Sequence, residues 1–208
     1  VLQLFFTRHG ETRWNVENRL QGRLNSDLTE NGIRDAKLLG KRLSTIDFDV
    51  VYASPSKRTV ETAKLIMEDR MVPLKTDERL MEIHLGSWEG RTTLEIQQSE
   101  PELFHFYQEK PTLFKGTGES FENVKRRIES VLMDLELKHP TGHILIVTHG
   151  VVIKVLQTIL KERSLDRVWE PPYIEGTSLS IVKLVEGKRS LVLEGDITHK
   201  EAVRLDEK

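Results

Sequence analysis

Short apolar runs alternate with longer amphipathic stretches along this chain, and the alternation predicts its elements. Leu4-Phe5-Phe6 is too short for a helix and stops at Arg8, His9 and Gly10, so it reads as a buried strand that delivers a loop. Asp49 to Ala53, Pro73 to Thr76 and Ile144 to Thr148 read as further short strands. Between them lie helical patterns. Thr29 caps a helix from Glu30 to about Leu43, with Ile33, Ala36, Gly40 and Leu43 on one face. Ser54 followed by Pro55 reads as cap and first residue of the next helix, which places Arg58 in its first turn. Thr92 to about Tyr107 is helical but broken at Pro101, and Gln108 to Gly118 is a loop. Ser120 to His139 gives the clearest period, with Phe121, Val124, Ile128, Val131, Leu132 and Leu135 on one side. A helix from about Val151 to Leu160 follows the strand at 144. Leu179 to Leu184 and Leu191 to Glu194 then predict an edge hairpin around Glu186-Gly187-Lys188. The polar tail from Lys200 is expected to fray.

Strands alternating with helices, without a repeat of solenoid length, predict an α/β fold. The expected architecture is a three-layer αβα sandwich around a mainly parallel central sheet. Residues 1–208 read as one domain, with an excursion at about 92–120 over the sheet edge and the active site.

Composition narrows the function. Apolar residues make up 38% and charged residues 31% of the 208, and no apolar run nears the roughly 18 residues of a membrane span. No targeting segment is legible, which makes the cytoplasm the expected location. With no cysteine, thiolate chemistry and disulfides are excluded. A formal net charge of −2 supplies no field for a polyanion, so neither nucleic acid nor membrane is an expected partner, and any anion must be held by locally placed cations. The pattern sets no oligomeric state.

Chemistry concentrates at the predicted strand ends. Thr7-Arg8-His9-Gly10 and Thr148-His149-Gly150 share one arrangement: strand, histidine, glycine. Ligands of open α/β sheets bind beyond the carboxyl ends of the strands, so His9 and His149 are expected to meet there beside Arg8 and Arg58. Two arginines with two histidines describe a pocket for a doubly charged oxyanion, with phosphate as the natural guest. Arginine in a helix's first turn opposes the dipole, which favours a functional reading of Arg58. A carboxylate is available from Asp77, Glu78, Glu82 or Glu89, and spacing alone does not choose among them. Neighbouring arginines disfavour a divalent metal on the histidines, and no phosphate-cradling glycine motif is present. Phosphoryl transfer with histidine as nucleophile remains.

The motifs carrying that chemistry resemble those of the histidine phosphatase superfamily, in the branch of the cofactor-dependent phosphoglycerate mutases. They are Thr7-Arg8-His9-Gly10-Glu11-Thr12-Arg13-Trp14-Asn15, Asp27-Leu28-Thr29-Glu30-Asn31-Gly32, Ser54 to Ala63, Glu82 to Gly90 and Val147 to Gly150, in family order. The resemblance implies that His9 becomes phosphorylated and that Arg8, Arg58 and His149 hold the phosphoryl oxygens. Asn15, Gln21 and Gly22 would assist them. It also implies that Glu82 is the proton donor and later the base, and that neither metal nor organic cofactor is needed. The segment from Gln98 to Ser120 is short and lacks an adjacent basic pair, which sets the chain apart from the mutases. It carries Phe104, Phe106, Tyr107 and Phe114 instead. The chain therefore resembles the broad-specificity bacterial phosphatases most, acting on a small phosphate monoester, with Phe104, Phe106 and Tyr107 as a candidate substrate mouth. The alternatives are a phosphoglycerate mutase and a dedicated phosphatase, such as one acting on a cobalamin precursor.

Overall fold

The computed structural model describes residues 1–201. In chain order the elements are β1 (Leu2–Arg8), α1 (Arg13–Val16), α2 (Glu30–Arg42), β2 (Val50–Ala53), α3 (Lys57–Met67) and β3 (Leu74–Thr76). They continue with α4 (Thr93–Ser99), α5 (Pro101–Glu109), α6 (Phe121–Lys138), β4 (Gly142–Thr148), α7 (Gly150–Leu160), β5 (Leu179–Val185) and β6 (Lys188–Asp196). The six strands form one sheet in the order β3-β2-β4-β1-β5-β6. The first four are mutually parallel, and β5 and β6 run antiparallel at one edge.

Side-chain alternation along the strands divides the core in two, as a sheet covered on both faces requires. Leu2, Leu4, Phe6, Ile144 and Ile146 face α6, α7 and the α4–α5 excursion. Phe5, Leu145, Val147 and Val51 face α2 and α3. These are the three layers expected from the sequence.

Local signals account for most boundaries. Thr29 accepts from the Gly32 N–H at the start of α2, and Ser120 accepts from Asn123 at the start of α6. Thr92 and Glu95 close a capping box on α4, and Glu100 to Pro101 separates it from α5. The start of α3 differs from expectation. The ladder continues one residue beyond β2, with the Ser54 N–H on the Val147 carbonyl, so Ser54 belongs to the strand end. Ser56 takes the cap position, and Arg58 remains in the first turn. The start of the tail also differs. Lys200 is buried, its Nζ bonded to the Gly176 carbonyl at 3.0 Å and paired with Glu175 at 3.0 Å, so no fraying begins there. The rest of the expected frayed tail, beyond residue 201, lies outside the described residues.

One close approach fixes the loop after β1. A Cβ on Gly10 would stand 2.7 Å from the Gly32 carbonyl oxygen, and one on Gly32 would stand 2.2 Å from that of Glu11. Loop and helix therefore touch backbone to backbone. In an ordinary helix interior, glycine to alanine stabilises by about 1 kcal/mol. Gly32→Ala should instead destabilise by roughly 1–3 kcal/mol, the scale of an overpacked core, as read from a denaturant-unfolding midpoint.

Candidate active site

Strand register brings the candidate residues together. Arg8 pairs with Thr148 at the end of the parallel β1–β4 ladder, and the His9 N–H donates to the Thr148 carbonyl at 3.0 Å. His9 and His149 are thus the next residues of adjacent strands, their ring centroids 5.4 Å apart. Ser54 ends β2 on the other side of β4. All three residues are buried.

Hydrogen bonds fix the histidine tautomers. His9 Nδ1 lies 2.8 Å from the Gly10 carbonyl oxygen, which only accepts, so Nδ1 carries the proton and Nε2 keeps its lone pair. His149 has the opposite form. Its Nδ1 accepts from Arg58 Nη2 at 3.2 Å, and its Nε2–H donates to the Ser54 hydroxyl at 2.8 Å. Both rings are held neutral. Burial lowers the pKa of His9 well below the usual histidine value, and the charges of Arg58 and Arg8 lower it further. Burial and the same arginines, with His9, do likewise for His149.

Arg58 is 1% exposed. Its Nη1 donates to the Leu24 carbonyl at 2.7 Å and its Nη2 to the Gly22 carbonyl at 2.8 Å. Gly22 sits at φ +52, with the Glu89 carboxylate where a side chain would go. Arg8 reaches the Ile174 carbonyl through Nη1 at 2.8 Å. The Nε atoms of both arginines are buried with no partner. Each is a donor awaiting an acceptor, and such orphans are uncommon in folded proteins.

Glu82 completes the set. Its Oε1 accepts from the Ile83 N–H at 2.9 Å, and its Oε2 accepts from the Val151 N–H at 3.3 Å, in the first turn of α7. Burial raises its pKa above the usual carboxyl value, outweighing these bonds and the two arginines. The rival Glu89 is tied to the N–H groups of Arg23 and Leu85, both at 3.0 Å.

These groups line a cavity of about 350 Å³ that includes Arg8, His9, Asn15, Gln21, Gly22, Arg58, Glu82 and Tyr107. Asn15 turns its Oδ1 onto Thr12, which leaves its amide NH2 toward the cavity. The Gln21 side chain also lines the cavity, braced by Thr12 and Ser26. His149 lies behind the wall, in contact with Arg58 and Ser54. The predicted aromatic mouth needs correction. Phe104 and Phe114 pack against Trp88 in the core, and Phe106 is half-buried against it, so of the four aromatics only Tyr107 lines the cavity. Helical spacing turns Phe104 and Tyr107 to one side, which is the core side. Trp169 and Tyr173, from the loop after α7, supply the other aromatic walls, together with Leu20, Ile83, Leu85 and Val151. Sequence reading missed these two and Ser54. The Pro171-Pro172 pair marked the loop, but nothing marked its direction.

A neutral histidine with a bare nitrogen, two guanidiniums with unpartnered Nε donors and a buried carboxyl of raised pKa form an arrangement suited to phosphoryl transfer. The chain matches the histidine phosphatase superfamily (branch 1) over residues 4–197 and belongs to that family. It is 44% identical to YhfR of Bacillus stearothermophilus, whose structure superposes with a TM-score of 0.93 over 96% of this chain and 99% of that one. It is 33% identical to phosphoserine phosphatase 1 of Hydrogenobacter thermophilus, across 95% of this chain and 93% of the relative. The phosphoglycerate mutase of Bacillus anthracis shares the fold at a TM-score of 0.81 and 27% identity, over 95% and 94% of the two chains.

The neutral histidines also shape stability. Below about pH 6.5 an unfolded histidine takes up a proton that the folded site refuses, so folding loses up to about 1.4 kcal/mol per pH unit for each such histidine. Folding free energy should therefore be largest on the neutral side and fall between pH 7 and 5. Replacing His9 by Gln should flatten that slope in denaturant titrations.

Proposed function

We propose that this enzyme hydrolyses a broad range of phosphate monoesters, with apolar esters favoured, through a phosphohistidine at His9. The observation that carries the reading is the fixed tautomer of His9, a bare Nε2 at the cavity beside two guanidiniums with unpartnered Nε donors. His9 Nε2 attacks phosphorus in line while Arg8 and Arg58 stabilise charge on the phosphoryl oxygens, and His149 holds Arg58 from behind. Glu82 gives its proton to the departing oxygen. It then takes a proton from the water that cleaves the phosphohistidine, which restores both groups.

Electrostatics support the order of events. Burial favours protonated Glu82, and an arriving dianion favours it further by like-charge repulsion. The acid limb of activity then belongs to His9 and lies well below its usual range, while the alkaline limb belongs to Glu82. Activity should peak on the acid side of neutrality and decline as Glu82 ionises. Breadth of substrate is supported by the apolar walls, where Tyr107, Trp169 and Tyr173 offer contact area without a fixed partner for one leaving group. A narrower reading, specific hydrolysis of phosphoserine, rests on likeness to the Hydrogenobacter enzyme.

Rapid acid and alkaline quenching with labelled substrate should trap a phosphoramidate that survives alkali, and His9→Ala should abolish it. Label on another residue type overturns the mechanism. Glu82→Gln should lower turnover of alkyl phosphates by roughly 10²–10⁴-fold, the usual worth of a general acid, and that of aryl phosphates much less. Exhaustive chelation should leave activity intact, because Arg8 and Arg58 provide the positive charge. A panel of phosphomonoesters should show kcat/KM higher for aryl esters than for phosphoserine or 3-phosphoglycerate, and exclusive use of either acid would reverse the assignment.

A further inference from the structure

The wall opposite the histidines is a strap, Trp169-Glu170-Pro171-Pro172-Tyr173-Ile174, whose two prolines bring carbonyls but no N–H groups. The strap therefore needs a donor from elsewhere. Lys154, in the second turn of α7, supplies it: Nζ donates to the Glu170 carbonyl at 2.5 Å and to the Pro172 carbonyl at 2.8 Å. Its side chain lines the cavity yet is almost wholly buried, at 5% exposure. Among the described residues no carboxylate lies within ion-pair distance of it. An ammonium bonded to carbonyl oxygens alone, with Glu194 and Glu170 acting on it only from a distance, is a costly way to fill space that methionine would fill at similar volume. Burial accordingly lowers its pKa to about 8.

We propose that Lys154 is a positioning residue that holds this strap against the cavity and, through it, sets both Arg8 and the aromatic wall. The contacts run without a gap. Beyond the carbonyls held by Lys154, Ile174 offers its own carbonyl to Arg8 Nη1 at 2.8 Å, and the Tyr173 hydroxyl accepts from the same nitrogen at 3.5 Å. At the other end of the strap, the Trp169 indole N–H donates to the Tyr107 carbonyl at 2.7 Å, and the two rings pack with centroids 5.2 Å apart. Releasing the strap would therefore loosen an arginine on the phosphate side and two aromatic rings on the leaving-group side together. A phosphoryl group bound at His9 and an apolar alcohol beside Tyr107 would both feel it, although Lys154 touches neither. The effect on catalysis rests on the phosphatase reading above.

The test combines Lys154→Met and Lys154→Arg in the full chain, with p-nitrophenyl phosphate kinetics and hydrogen exchange of the Trp169, Tyr173 and Ile174 amides. The methionine variant should lose about tenfold in kcat/KM, most of it in KM, while strap amides exchange about tenfold faster. Arginine, which can span both carbonyls, should restore most of both. Unchanged kinetics overturn the proposal, whether or not the strap exchanges faster. Lost activity with unchanged exchange also overturns it, because the lysine would then act on substrate directly. Lys154→Gln keeps one donor group but cannot hold both carbonyls. It should shift both readouts in the same direction, and it replaces the methionine variant if that one fails to fold. Absence of turnover by the parent enzyme would count against the phosphatase reading instead; strap exchange and calorimetric binding of inorganic phosphate would then decide the role of Lys154.

Discussion

The parallel pairing of β1 with β4 is the constraint on which the rest of the site depends. Its register ends at Arg8 opposite Thr148, so the next residue of each strand is a histidine and the two rings are neighbours. A slip of one residue would turn every side chain of a strand to the opposite face and separate the pair. Two apolar layers hold that register from both sides. Alternate residues of each strand are committed to different helix pairs, so the sheet cannot slide without exposing one layer. The chemical precision of the site is thus inherited from the core.

The second organising fact is that the two guanidiniums are held by carbonyls, with Glu82 and Glu89 acting on Arg58 only from a distance. Arg58 is surrounded by backbone carbonyls and a neutral histidine, and Arg8 is tied to a carbonyl of the strap. Carbonyl dipoles orient guanidiniums but do not neutralise them, so the site favours whatever brings negative charge and acceptors. Burial, joined by that same positive charge, keeps both histidines unprotonated, while the charge opposes the tendency of burial to protonate Glu82. Burial serves both roles, since it leaves the nucleophile without a proton and favours the acid with one.

Much of this was legible in the sequence because period and punctuation are local. Buried strands announced themselves as short apolar runs, α2 and α6 by their period and caps, and the candidate histidines by identical strand-to-glycine contexts. What escaped depends on direction in space. Ser54 followed by Pro55 resembles a helix cap, yet the ladder reaches one residue further and turns Ser54 to His149. The aromatics of α5 carried the right chemistry on an element whose rotation the sequence does not specify, so Phe104 and Tyr107 both turned to the core and only Tyr107 also reaches the cavity. Trp169 and Tyr173 sit on an aperiodic loop, where no pattern predicts which way a ring points. The four residues of α1 are too few to show any period. The choice of Glu82 over Glu89 came from resemblance; in the structure Glu82 lines the cavity, whereas Glu89 braces the loop around Gly22.

The carbonyl of Gly10 has a regiochemical consequence. Imidazole has two nitrogens of similar basicity, and in solution either can be phosphorylated. By keeping a proton on Nδ1, the carbonyl leaves Nε2 alone able to form the bond. In the mechanism proposed above, the same carbonyl remains in place to accept from the Nδ1–H once the ring becomes cationic on phosphorylation. It thereby stabilises the intermediate as a single positional isomer. When water takes the phosphoryl group, the ring returns to the tautomer in which it began, and no prototropic step separates one turnover from the next.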